Sequence, residues 1–163
     1  MQSERGYTLF EMIIVVALIG IISAIAIPVF MSSNAMNTLW TNSEKIGALI
    51  RQTRLKAITQ NTTYVVRFSC PSAGRMRGMI VDADIANANR CNMNKAGDST
   101  VLEMPYTVTY NPGAVTQLQV TGRGIFTAVG GAIPTTISVT YGAASRFLTV
   151  SATGQITFAD TAP

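Results

Sequence analysis

The segment that decides the fold lies at the N-terminus, where residues 6–31 read GYTLFEMIIVVALIGIISAIAIPVFM. From Met12 to Met31 no residue is charged. A helix rises about 1.5 Å per residue, so this run is long enough to cross a hydrocarbon core of roughly 30 Å. We therefore expect a membrane-spanning helix, followed by a domain with the composition of an ordinary soluble protein.

Two common explanations of such a run fit poorly. A secretory signal peptide has a small-residue cleavage site after its apolar run, and residues 27–31, IPVFM, do not provide one. A plain membrane anchor explains the run but leaves Glu11 at its edge unexplained. A carboxylate at the border of the bilayer core is costly unless it has a partner.

A third explanation rests on the residues Gly6-Tyr7-Thr8-Leu9-Phe10-Glu11, which resemble the prepilin peptidase site of type IV pilins and type II secretion pseudopilins. The resemblance implies cleavage between Gly6 and Tyr7, followed by N-methylation of the new amine on Tyr7. It also implies that Glu11 faces the Tyr7 amine of a neighbouring subunit in a filament, where the pair mainly sets register and direction. The family usually has Phe where this chain has Tyr7.

The resulting organisation has three parts. Residues 1–6 are expected to be a cleaved leader, residues 7–33 a transmembrane and filament-core helix, and residues 34–163 a globular domain. Pro28 donates no backbone hydrogen bond, so we expect a kink or a loosened turn there. Beyond it the apolar residues recur on one helical face up to about Gln60, which predicts an amphipathic helix packed on the domain.

After Thr63 the pattern changes from helical to alternating, with β-branched and aromatic residues between turn residues. The expected strands are Tyr64–Phe68, Met79–Val81, Tyr106–Tyr110, Leu118–Val120, Thr136–Thr140, Phe147–Val150 and Gln155–Phe158. Turns are expected at residues 111–113, 130–131, 141–142 and 153–154. The fold class is therefore α+β and pilin-like, with a long N-terminal helix covering an antiparallel sheet that has one dry face.

The C-terminal half resembles the GspH/FimT group, which comprises minor subunits of type IV pili and of type II secretion pseudopili. The resemblance lies in residues 54–62, in Gly122-Arg123-Gly124 and in residues 146–151 with Gly154. It implies a structural and assembly subunit, with other pilin or pseudopilin subunits, prepilin peptidase, an inner-membrane assembly platform and, before assembly, membrane lipid as partners. It also implies a single-pass protein of the bacterial inner membrane whose C-terminal domain is periplasmic. The sequence leaves pilus and pseudopilus open.

The alternative function is a DNA-binding minor pilin that acts in DNA uptake. Some members of the group bind DNA through arginines after the last glycine, where this chain has Gln155 and Thr157. A second basic cluster interleaves with the cysteines and comprises Arg67, Arg75, Arg77, Arg90 and Lys95. We interpret that cluster as a solvated loop face, with weak nucleic-acid contact as the competing interpretation.

Cys70 and Cys91 both follow the apolar run, so they share one compartment. If the chain is oriented as prepilins are, that compartment is oxidising and we expect a disulfide, with two separately buried thiols as the alternative. The chain contains no histidine, which excludes Ser-His-Asp and Cys-His catalysis and His-ligated metal sites. We therefore expect no enzyme, no cofactor and no metal site.

Overall fold

The structure is a computed structural model and describes residues 7–87 and 89–162. The chain divides into two compact units, Met1–Asn37 and Thr38–Pro163. The predicted leader, residues 1–6, lies outside the described residues.

A single helix, α1, spans Leu9–Thr59. It begins at Leu9, where the hydroxyl of Thr8 accepts a hydrogen bond from the backbone N–H of Glu11 at 3.2 Å, as an N-cap residue does. It ends at Thr59, close to the predicted end at about Gln60, and Asn61 adopts a positive φ of 46°. The N–H of Asn61 bonds to the carbonyl of Ile58 and that of Thr62 to Ala57, which is the pattern of a Schellman C-cap.

The strands of the globular unit form two antiparallel sheets. Their bounds are β1 Tyr64–Phe68, β2 Arg75–Ile80, β3 Leu102–Glu103, β4 Val108–Asn111, β5 Gln117–Val120, β6 Phe126–Val129, β7 Thr135–Tyr141, β8 Ala144–Val150 and β9 Ile156–Ala159. Sheet A has the order β3-β2-β1-β5-β6, and sheet B has the order β4-β7-β8-β9. The fold is thus the predicted α+β arrangement of one long helix and antiparallel strands.

All seven predicted strands are present, and the predicted turns coincide with glycines of positive φ. Other features were not predicted. Strand β2 begins at Arg75, four residues before the predicted start at Met79, and the strands β3 and β6 lie outside the predicted strands. The strands also form two sheets, where the sequence predicts one.

The main core lies between the C-terminal part of α1 and the inner faces of both sheets. Helix residues such as Ile46 and Ile50 pack with Val66 of β1 and Leu148 of β8. The helix approaches β2 closely at Gly78, where an added Cβ would lie 2.3 Å from the hydroxyl oxygen of Thr53. A side chain at residue 78 would therefore separate the helix from sheet A.

Sheet A differs from the expectation of one dry face. Val65 and Met79 point away from α1, yet both are buried in a second, smaller core with Cys70. That core is covered by a segment between β2 and β3, residues 81–87 and 89–99, which we call the strap. Both faces of β1 and β2 are therefore dry, and the expectation is wrong for this part of the sheet.

Candidate functional site

The N-terminal segment presents the predicted assembly residues to solvent. Tyr7 and Glu11 are both exposed, and Glu11 lies in the first turn of α1. Gly6, the residue before the predicted cleavage, lies outside the described residues. An acidic residue in the first turn is favourable next to the N-terminal end of the helix dipole, so Glu11 is compatible with the helix as well as with a partner amine.

The apolar part of α1 leaves its large side chains uncovered. An 18-residue window within this helix has a mean hydropathy of 3.0, and none of it is buried. Exposed apolar surface of this extent marks a contact with lipid or with other proteins. Pro28 lies inside α1, and the chain is helical on both sides of this residue.

Cys70 and Cys91 form the predicted disulfide, with their Cα atoms 5.4 Å apart. The bond joins the end of the β1 strand region to the strap. Cys91 lies in a short 3₁₀ helix, Arg90–Asn92, and packs with Val81 and Ile85 against the smaller core. The disulfide therefore fixes the strap over the outer face of sheet A.

A buried cluster of charges also holds the strap against sheet A. The guanidinium of Arg90 is fully buried and donates two hydrogen bonds to the carboxylate of Asp98, at 2.7 and 2.8 Å. The Asp98 side chain is 1 % exposed and lies 3.6 Å from the guanidinium of Arg77. It also accepts hydrogen bonds from the backbone N–H groups of Ile80 and Lys95.

These contacts determine the protonation of Asp98. Burial alone would raise the pKa of its carboxyl group, but the hydrogen bonds from Arg90, Ile80 and Lys95 outweigh burial and lower the pKa. The group is therefore ionised at neutral pH. Its negative charge therefore compensates the positive charges of the neighbouring Arg77 and Arg90 guanidinium groups.

Arg77 donates hydrogen bonds to residues of the strap. Its guanidinium donates to the backbone carbonyls of Ser99 and Met93, at 2.8 and 2.7 Å, and to the side chain of Asn94. Because Arg77 sits on the outer face of β2, these bonds tie the strap to the sheet. Lys56 of α1 adds a bond to the carbonyl of Gly97 at 2.9 Å.

The remaining basic residues of the predicted cluster are also engaged. Lys95 contacts the carboxylates of Asp82 and Asp84, and its hydrogen bond is the main reason that the pKa of Asp82 is lowered. Arg67 donates to the carbonyl of Ile85 at 2.6 Å. An exposed salt bridge joins Arg75 to Glu103 at 2.8 Å.

The interpretation of this cluster as a solvated loop face is therefore wrong for Arg77 and Arg90. Arg77 and Arg90 are buried, and every member of the cluster bonds to an acceptor within the chain. A phosphate would have to displace the acceptors of Arg77 and Arg90 before it could bind to these two residues. The sequence analysis missed this because it placed Arg77 outside the predicted strands, whereas Arg77 alternates with inward-facing residues along β2.

Sequence reasoning also missed the role of Arg146. Its guanidinium is buried between the rings of Trp40 and Phe158, with its central carbon 4.0 and 4.9 Å from the ring centroids. It also donates a long bond of 3.4 Å to the hydroxyl of Ser43. The stack joins the part of α1 within the globular unit to β8 and β9 of sheet B, and it is a cation–π contact of the favourable kind.

Comparison with known proteins gives a sequence match at the N-terminus and structural matches over about three quarters of the chain. The sequence profile of the prokaryotic N-terminal methylation motif matches residues 1–27. The type IV minor pilin FimU of Pseudomonas aeruginosa superimposes with a TM-score of 0.56 at 18 % identity, over 76 % of this chain and 90 % of FimU. The fold is pilin-like.

A second structure of the same kind extends the comparison to secretion systems. The minor pseudopilin EpsH from the type 2 secretion system of Vibrio cholerae superimposes with a TM-score of 0.54 at 13 % identity, over 75 % of this chain and 96 % of EpsH. No curated protein sequence is significantly similar to the chain. The pilin-like fold is therefore shared with a minor pilin and with a minor pseudopilin. The match to the methylation motif is confined to residues 1–27.

Proposed function

We propose that this chain is a minor pilin or pseudopilin, a structural and assembly subunit of a type IV pilus or a type II secretion pseudopilus. One observation carries the proposal: an N-terminal methylation motif leads directly into an uncovered apolar helix, and the chain continues into a pilin-like domain. An enzyme is not favoured, since neither named relative is described as one.

The proposal assigns a task to each part of the chain. Prepilin peptidase removes residues 1–6 by cutting after Gly6, and Tyr7 becomes the methylated N-terminus. Residues 7–33 hold the subunit in the inner membrane before assembly and pack with other subunits afterwards. Pro28 kinks this helix or loosens one of its turns. Residues 34–163 form the periplasmic domain, whose disulfide suits an oxidising compartment.

In the proposed filament, Glu11 forms a charge pair that the lipid tails of the membrane cannot provide. Two charged groups in a bundle of apolar helices are costly unless they meet, and removing one leaves the other uncompensated. Before assembly, the exposed carboxylate lies near the membrane surface. In the filament it meets the Tyr7 amine of a neighbouring subunit, which fixes the axial position of that subunit.

Filament incorporation tests the proposal. The gene is expressed in its own host, filaments are sheared from the cells, and the subunit is detected in the sheared fraction by antibody. A Gly6→Val variant, which peptidase should not cut, is expected to stay in the membrane fraction. Equal incorporation of this variant, or absence of the wild-type protein from pilus and pseudopilus preparations, contradicts the proposal.

A DNA-binding role has no observation in its favour. Within the basic cluster around the disulfide, Arg77 and Arg90 are buried and engaged inside the domain. Gln155 and Thr157 occupy the positions where the DNA-binding members of the group that the chain resembles have arginines. Binding to DNA depends on cations that can release counterions from phosphate. The assembly role is therefore the one we keep.

A further inference from the structure

The outer face of sheet B is an accessible surface of the globular unit. Along the central strands β7 and β8, buried residues such as Ile137 and Leu148 face the core, so the alternate residues face outward. These outward residues are Thr136, Ser138, Thr140, Ser145, Phe147 and Thr149. All six are partly accessible to solvent, and five carry a hydroxyl group.

The two edge strands continue the same surface. By the register of the sheet, Thr109 and Asn111 of β4 lie beside Thr140 and Ser138, and Thr157 and Ala159 of β9 flank β8 on the other side. These four residues are exposed. We call the ten residues together the threonine face. None of them is charged.

The contrast with sheet A is informative. The chain covers the outer face of β1 and β2 with its own strap and buries Val65 and Met79 there. On sheet B the corresponding outward positions remain accessible, although the face contains an aromatic ring. The threonine face is therefore a surface that the chain leaves uncovered and keeps free of charge.

The hydroxyl groups of this face retain hydrogen-bonding capacity. Thr136 and Thr149 share one hydrogen bond of 3.0 Å across the strands, and Thr109 shares another with Thr140. Each hydroxyl offers one donor and two acceptor sites. A pair that shares one bond therefore keeps one donor and three acceptor sites for a ligand.

The aromatic ring at the centre of the face, that of Phe147, is partly accessible to solvent. Phe147 lies opposite Ser138 on β7 and opposite Ala159 on β9. Both neighbours are small, so they leave room beside the ring. It does not belong to the residues packed against either core. A flat ligand with an apolar surface could lie against this ring while its polar edges reach the surrounding hydroxyl groups.

These properties select one class of ligand. Nucleic acid and anionic lipid are bound through cations, and the face has none. A stable protein interface buries about 800 Å² on each partner, whereas four strands of this length cover on the order of 300 Å². A sugar ring has an apolar side that stacks on an aromatic ring and hydroxyl groups that both donate and accept.

We propose that the threonine face binds a neutral polysaccharide. The sugar rings lie along β8 with one ring on Phe147, and the sugar hydroxyl groups exchange hydrogen bonds with the threonine and serine hydroxyl groups and with the amide of Asn111. Binding is independent of salt because no charge takes part. This inference goes beyond assembly, since it assigns a ligand to a surface of the assembled subunit.

The test uses the full-length protein in a zwitterionic detergent without a sugar head group, because a glycoside detergent would compete for the site. Cellulose particles, chitin particles and an array of neutral oligosaccharides are the probes. Phe147→Ala removes the ring, and Thr157→Lys places a charge at an exposed edge position where misfolding is not expected. The control is Thr127→Lys, at an exposed and outward-facing position of β6 on sheet A.

We expect wild type and T127K to bind at least one neutral probe equally at low and high salt. Loss of the aromatic contact should weaken binding about tenfold in F147A, and T157K should also bind more weakly. Absence of binding to every probe overturns the inference, as does binding that salt abolishes or that both variants retain.

The same variants separate this inference from the proposed function. F147A and T157K should be cleaved and incorporated into filaments as wild type is. If T157K or F147A instead abolishes incorporation while wild type binds no glycan, the face is a contact between subunits. That result overturns the glycan inference and leaves the assembly role intact. Unchanged melting temperatures confirm that the variants are folded.

Discussion

Replacing Asp98 by asparagine should destabilise the globular unit strongly. D98N keeps the size of the side chain but removes the charge that faces Arg90 and Arg77. The guanidinium of Arg90 has no exposed surface, so water cannot replace the lost carboxylate. Removing one partner of a buried ion pair costs about 3–5 kcal/mol, because the other charge stays buried without compensation.

This cost can be compared with that of the disulfide, which closes the same region. Cys70 and Cys91 are separated by 21 positions, and closing a loop of that length stabilises a protein by about 3 kcal/mol in the chain-entropy model. We therefore expect D98N to lower stability at least as much as removal of the disulfide. The position of the strap would then depend on the charge of Asp98, which no sequence motif indicates.

Thermal unfolding followed by near-ultraviolet circular dichroism provides the assay, with full-length protein in detergent. For a unit of this size each kcal/mol changes Tm by about 3–5 °C, so a decrease of roughly 10–20 °C is expected for D98N. The control is Glu103→Gln, which breaks the exposed salt bridge to Arg75. Exposed pairs contribute little. A Tm of D98N close to that of E103Q would refute the reasoning.

Three further predictions concern pH, assembly and redox state. The lowered pKa of Asp98 means that its stabilisation is complete above the ordinary value of 3.8 and is lost as pH falls through the folded-state value. Tm should thus fall below about pH 4, and less so in D98N, where Asp82 still contributes; parallel curves would contradict this. E11A should be cleaved normally yet be depleted from sheared filaments, and normal incorporation would exclude an assembly contact. Replacing Cys70 and Cys91 by serine should lower Tm while near-ultraviolet signals persist at low temperature, because Asp98 still holds the strap; loss of those signals would show that the disulfide is essential.

The elements with a clear periodic pattern could be predicted from the sequence. The charge-free run predicts the first part of α1, and the apolar periodicity predicts that the helix continues to about Gln60, close to its end at Thr59. The alternation of apolar and polar residues in β7 and β8 reflects one face against the core and one in solvent. In each case the local sequence and the tertiary environment favour the same structure.

The misread elements have a common cause, which is contact between residues distant in sequence. Arg75 and Arg77 suggest a loop when read locally, yet Arg77 lies in a strand because the strap supplies its acceptors. Likewise, nothing in the local sequence indicates that Asp98 meets Arg90 or that Arg146 stacks between two rings. Burial of a charge depends on its partner, and the partner is identified only by the fold.

The most direct test of the account is the intact mass of the protein extracted from membranes of its own host. Processing as a prepilin predicts a chain that lacks residues 1–6, begins at Tyr7 and carries one added methyl group. A chain that begins at Met1, or one cut beyond Phe30 so that the apolar helix is lost, would contradict the assignment as a filament subunit.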